Sequence, residues 1–174
     1  MAEAAAAIEG LRTRYVRGLQ ERLSRLESEL MFHVEPVGLA YRASAANVEE
    51  YRAKWRETRD RDLEQGFTRD GPHRGELAIR ARERPAAPRL SRGQMKLVAL
   101  MLKLAQMGLA RSVDCEPVLL LDDPVSELDR YHLDSLMDWL GRQPNQVWIT
   151  AVEKPGDAGV TLFHVEQGKI HAML

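Results

Sequence analysis

Several things are scarce in this chain of 174 residues. There is one cysteine, Cys115, which excludes an internal disulfide framework and suits a reducing, cytoplasmic setting. A lone cysteine just ahead of an apolar run reads as a small core hydrophobe with no chemical role. Neither sign of charge is in surplus: the net charge is −1, with 29% of residues charged. That balance carries no global signal for nucleic acid, so any DNA contact must come from a local patch or an assembled dimer. No uninterrupted apolar run reaches membrane-spanning length, and no membrane partner is expected. The alanine-rich residues 2–7 include Glu3 and lack a basic leader, so they do not read as a signal peptide. None of the twelve glycines begins a phosphate-binding loop of the form Gly-x-x-x-x-Gly-Lys-Ser/Thr.

What the chain does have is concentrated at residues 118–129, Val-Leu-Leu-Leu-Asp-Asp-Pro-Val-Ser-Glu-Leu-Asp. Four aliphatic residues running into Asp122 and Asp123 read as a strand buried on both faces, as in a parallel sheet. Open α/β sheets bind their ligands at the carboxyl ends of strands. Two adjacent carboxylates there suit metal–phosphate chemistry, one holding Mg²⁺ and the other orienting a water. The same six residues also suit a buried strand followed by an acidic helix cap.

Upstream, residues 90–94 read Leu-Ser-Arg-Gly-Gln and open a long apolar helix over 95–109. Ser91 and Gln94 have the spacing of a capping box. A helix N-terminus offers free backbone N–H groups and positive dipole to a phosphate. Gly93 lets the backbone come close, and Ser91 has a hydroxyl to donate. A well-capped core helix needs the same residues.

Before that, residues 3–30 space Ile8, Leu11, Tyr15, Leu19, Leu23, Leu26 and Leu30 as one apolar helical stripe. Gly-Leu-Ala-Tyr-Arg at 38–42 reads as a short strand. A helix over 48–65 follows, capped by Asn47 with Glu50 and stopped by Gly66, with Val48, Tyr51, Trp55 and Leu63 as its apolar side. Arg80, Arg82, Arg84, Arg89 and Arg92 are interleaved with prolines, so 80–92 is not a regular helix. Its guanidinium groups could meet DNA phosphates at Arg80, Arg82, Arg84 and Arg89, or simply decorate a solvated loop. After 129, a helix over 130–140, a strand over 146–151 and a hairpin turning at Gln167-Gly168 complete the chain. His164 and His171 on that hairpin read as surface or packing residues.

The order Leu-Ser-x-Gly-Gln, helix, hydrophobic strand, Asp-Asp, Ser-x-Leu-Asp resembles the ABC-type ATPases of the SMC branch, and in detail the RecF family within it. On that resemblance 90–94 is the signature motif, with Ser91, Arg92, Gly93 and Gln94 reaching ATP held by the other subunit. Residues 118–123 are the Walker B strand, with Asp122 on Mg²⁺ and Asp123 on the water, and Ser126 and Asp129 belong to the D-loop. Thr150 stands where the wider superfamily has a switch histidine. Residues 66–77 resemble the stretch by which such chains return from their arm domain, through Gly71, Pro72, His73 and Arg74. Gly75 and Glu76 depart from the acidic continuation usual in the family.

The resemblance implies an α/β fold: a helical arm piece at 1–66 and the C-terminal lobe of an ABC-type ATPase domain at 67–174. It implies ATP and Mg²⁺ as cofactors and a weak DNA-dependent ATPase. It further implies a homodimer closing on DNA gaps or junctions and recombination mediator proteins as partners, in SOS-linked repair and replication restart. The chain has the half that lends a signature motif and lacks the half that holds a nucleotide, so a truncated piece is expected, with apolar sheet left open. A non-enzymatic interaction module and another SMC-like ATPase are the alternatives.

Overall fold

The computed structural model describes residues 1–111, 115–152 and 160–173. Elements run in the order α1 (Ala2–Glu29), β1 (Val37–Arg42), α2 (Val48–Gln65), a single 3₁₀ turn (Pro72–Arg74), β2 (Glu76–Ala81), β3 (Arg84–Pro85) and α3 (Arg92–Arg111). They continue with β4 (Leu119–Asp122), α4 (Pro124–Glu127), α5 (Arg130–Gly141), β5 (Val147–Thr150), β6 (Leu162–Glu166) and β7 (Lys169–Met173). The mixture is α/β, as expected. The chain forms two compact units: Met1–Ser28 with His33–Asp114, and Glu29–Phe32 with Cys115–Leu174. The expected boundary at 66/67 lies inside the first of these, because β1 on one side of it pairs antiparallel with β2 on the other along six residues.

In the first unit α1 buries Ala2, Ala5, Val16, Leu19, Leu23 and Leu26, along with one charge, Glu9. The stripe read from sequence holds from Leu19 onward. Ahead of it Ile8, Leu11 and Tyr15 are exposed, and the face one step round is used instead. Ala2 and Ala5 are small enough to let Ala45 and Tyr51 pack close, with Val48 and Trp55 beside them. Leu63, expected on that side of α2, is exposed at 70%. The caps of α2 form as expected: Asn47 Oδ1 accepts from Glu50 N–H, and Gly66 takes the left-handed conformation that stops the helix. Gly18 has a packing reason, since a Cβ there would stand 3.1 Å from the Leu109 side chain on α3.

The sheet order is β1-β2-β3, which leaves β1 at an edge. That edge is covered by side chains from α1. Gln20 receives the Leu39 N–H and donates to the Val37 carbonyl, and Glu27 receives the Val37 N–H. The arginine-rich segment is not simply a loop: β2 and β3 form a hairpin whose two-residue turn is Arg82-Glu83. Both have positive φ, 45° and 65°, as a primed turn requires.

In the second unit β4 and β5 pair in parallel, from Leu119 with Val147 to Asp122 with Thr150. The crossover α5 buries Leu133, Leu136, Met137, Trp139 and Leu140. Segment 29–32 packs here too: Trp139 Nε1 donates to Glu29, the Met31 N–H to Ser135 Oγ, and Phe32 meets His132 edge-on. The expected strand is not buried on both faces. Leu119 and Leu121 are half-buried, whereas Val118 and Leu120 are exposed at 51% and 73%. Cys115 is exposed as well, against the core position read from sequence. The β6–β7 hairpin turns at Gln167-Gly168, with His164 opposite His171 and both exposed. Among the described residues, no helix is long and apolar enough to cross a membrane.

Candidate functional site

The acidic pair lies at the carboxyl end of β4, where the sequence puts it. Pairing with β5 ends at Asp122 opposite Thr150, so the last residue of each strand meets the other. Thr150 Oγ1 lies 2.5 Å from Asp122 Oδ1 and donates its hydrogen there. The Asp123 N–H points back at β5, 3.0 Å from Thr150 Oγ1 and 3.1 Å from the Thr150 carbonyl. Asp123 itself has φ 43° and ψ 53°, a left-handed conformation that aspartate adopts more readily than most residues because its short side chain can hydrogen-bond locally. Ser126 supplies such a bond: its hydroxyl lies 2.7 Å from Asp123 Oδ2 and 3.1 Å from the Asp123 carbonyl.

Asp129 does structural work. It caps α5 by accepting the His132 N–H at 3.0 Å, and its other oxygen lies 2.7 Å from His132 Nδ1. The His132 N–H, and then the imidazole, hold its carboxyl below the usual range.

Magnesium fits what the pair offers. Mg²⁺ takes hard oxygens, keeps several waters, and is held by one or two carboxylates together with substrate phosphates rather than by an all-protein cage. Asp122 Oδ2 and Asp123 Oδ1 are such oxygens, left open by the hydrogen bonds above. Among the described residues no group of three potential ligands gathers, so phosphate and water would complete the shell.

In the first unit, the capping box forms. The Gln94 N–H donates to Ser91 Oγ at 3.2 Å, and the Ser91 N–H to Gln94 Oε1 at 2.9 Å. Ser91 acts there as acceptor, so its own hydroxyl hydrogen stays available. Ser91, Arg92 and Gly93 are exposed, and a Cβ on Gly93 would meet nothing nearer than Ser91 Oγ at 3.9 Å. The helix start is thus open to a ligand.

The candidate DNA arginines divide. Arg89 is paired with Glu35 at 2.7 Å and Arg82 approaches the same carboxylate at 3.6 Å. The Arg89 hydrogen bond is the main reason the Glu35 carboxyl sits below its ordinary value. Arg80 and Arg84 are exposed and carry no ion pair among the described residues.

Sequence reasoning missed the network that seats residues 71–75. The Glu9 carboxylate, 4% exposed, accepts from the Tyr41 and Tyr51 hydroxyls and from the Ser44 N–H. Arg12 donates to Tyr41 and to the Pro72 carbonyl, and Trp55 Nε1 donates to the Asp70 carbonyl. Gly75 lies directly on the Tyr41 hydroxyl, where a Cβ would collide. His73 and Arg74 remain exposed on the turn so held. A sequence signal existed: Glu9 interrupts the alanine face at the helical spacing of Ala2 and Ala5.

No family model matches the chain. Among solved structures, that described as the recombination mediator protein RecF with ATP in the RecFOR pathway matches 99% of the chain at TM-score 0.82 and 26% identity. The chain covers 48% of that structure. That match gives the class of the fold as that of an ABC/SMC-type ATPase.

Curated relatives narrow it. The DNA replication and repair protein RecF of Xanthomonas euvesicatoria is 37% identical over 180 aligned positions, taking in 98% of this chain and 48% of the relative. That of Thioalkalivibrio sulfidiphilus is 36% identical over 176, with 98% and 49% covered. Over the half of their length that it spans, the chain is a RecF-family sequence.

Proposed function

We propose that the chain contributes the signature and Walker B parts of a RecF-type, ATP-dependent DNA-binding protein of recombinational repair and replication restart. The observation that carries this reading is the braced acidic pair at the end of β4, with one open oxygen on each carboxylate. In it Asp122 holds Mg²⁺, which neutralises developing phosphate charge when bound. Asp123 accepts a hydrogen bond from the attacking water and so aims it. Ser91, Arg92, Gly93 and Gln94 present a hydroxyl, a guanidinium and the α3 N-terminus to the γ-phosphate of ATP on a second subunit. Ser126 and Asp129 shape the connecting D-loop, and Thr150 closes the site from β5. ATP between subunits thereby joins a dimer around DNA at gaps or junctions, and hydrolysis releases it. Arg80 and Arg84 supply cationic contacts, and mediator proteins assemble on the nucleotide-bound form. The relatives' names and the ATP in the solved neighbour support this assignment.

The test uses the lending role. In the presence of Mg·ATP, this chain should associate with the Thioalkalivibrio sulfidiphilus RecF protein. Ser91→Arg, which fills the space before α3, should abolish that association. By calorimetry this chain alone should take up no Mg·ATP, since no phosphate-binding loop occurs in its sequence. Association that ignores ATP, or survives Ser91→Arg, would overturn the reading.

A further inference from the structure

We propose that Thr150 is the positioning residue of the acidic pair: one hydroxyl orients Asp122 for a divalent cation and pins the left-handed turn that aims Asp123. The inference rests on the reading of Asp122 as the metal-holding residue. A hydroxyl has one hydrogen and two lone pairs, and the geometry uses both kinds of group. The hydrogen goes to Asp122 Oδ1 at 2.5 Å, and a lone pair faces the Asp123 N–H at 3.0 Å. The first contact fixes the carboxylate so that Oδ2 is the oxygen left open. The second supports the positive φ of Asp123, whose own carboxylate is tied by Ser126 through Oδ2. Each acid therefore has one oxygen anchored and one presented.

The chemistry of the side chain matches the task. Valine has the shape and lacks both hydrogen bonds. Partners that orient a metal ligand tune its affinity, and losing one costs about 10–100-fold.

The experiment uses the full chain, ¹⁵N-labelled, with Mn²⁺ as a paramagnetic stand-in for Mg²⁺. Before metal is added, the Asp123 amide signal should shift upfield in Thr150→Val and stay near the wild-type position in Thr150→Ser. On titration, Mn²⁺ should broaden the Asp123 and Ser126 amides of the wild type. Thr150→Val should need about tenfold more metal for the same broadening, whereas Thr150→Ser should behave like the wild type. Should Thr150→Val disturb the β4–β5 pairing, Thr150→Cys, a poorer donor of similar size, makes the same comparison. Equal broadening in wild type and Thr150→Val, or in wild type and Thr150→Cys, would overturn the positioning role and leave Asp122 as the metal holder. Broadening absent from the wild type, or undiminished in Asp122→Ala, would overturn the metal reading and this inference with it.

Discussion

Glu9 shows how one buried charge can organise a neighbourhood. Burial works to raise its carboxyl, but the Tyr41 and Tyr51 hydroxyls, the Ser44 N–H and the Arg12 charge outweigh that and leave it below the ordinary value. The same contact acts in reverse on Tyr51, whose burial and hydrogen bond to Glu9 push its phenol up to about 12. Glu9→Ala would strand two phenols and an amide, and should cost about 3 kcal/mol by urea unfolding. Sharp unchanged denaturation would remove the network from the fold's support. A carboxylate held below its ordinary value stabilises the fold above that value, and the gain is lost as pH falls through its folded value. Glu9, Glu35, Glu50 and Asp129 are all shifted down. Thermal stability should therefore hold from neutral pH to roughly pH 5 and decline below about pH 4. In Glu9→Ala the decline should be shallower. None of this was open to sequence reading beyond the oddity of a glutamate on an alanine face, because the partners lie 32 and 42 residues away.

At the scale of elements, what could be read was what is local. Ser91 with Gln94, Asn47 with Glu50, and Gly66 act over three or four residues, and each formed as its spacing implies. The acidic pair was legible for the same reason, as a strand end marked by a change from aliphatic to carboxylate. Its bracing by Thr150 was not, since that partner arrives from 28 residues away through a strand pairing. The Arg82-Glu83 turn was missed because neither residue favours positive φ, and the turn signal usually comes from Asn or Gly. That mismatch gives a prediction. Replacing the pair by Asn-Gly should raise stability by about 1 kcal/mol, read from the urea midpoint. A loss would mean that Arg82 contributes more through Glu35 than its backbone costs.

For the whole molecule, the near balance of charge limits how DNA would be held under the proposed function. Only Arg80 and Arg84 of the four candidate arginines are without an ion pair among the described residues. If the hairpin carries the contact, log K against log salt should have a slope no steeper than about −2 per chain. Arg80→Glu with Arg84→Glu should abolish low-salt binding in a fluorescence anisotropy titration. A much steeper slope, or binding indifferent to both changes, would move the contact elsewhere. The exposed face of β4 and β5 is likewise a property of the whole chain. Sequence reading took the aliphatic run as doubly buried, but in these two strands Leu120 and Trp148 lie opposite each other at 73% and 49% exposure.

The covering of β1 by α1 bears on the order in which the chain assembles. Gln20 reaches backbone groups 17 and 19 residues away, whereas β1 must find β2 across separations of 34 to 44 residues, from Arg42–Glu76 to Val37–Ala81. Shorter closures form with a smaller entropic penalty and sooner. During refolding, α1 and β1 can therefore meet first, and β2 then adds to the one side of β1 still open. On that order the outer edge of β1 at Val37–Leu39 is occupied before the sheet forms, so protection against mispairing would come with the pathway as well as the product.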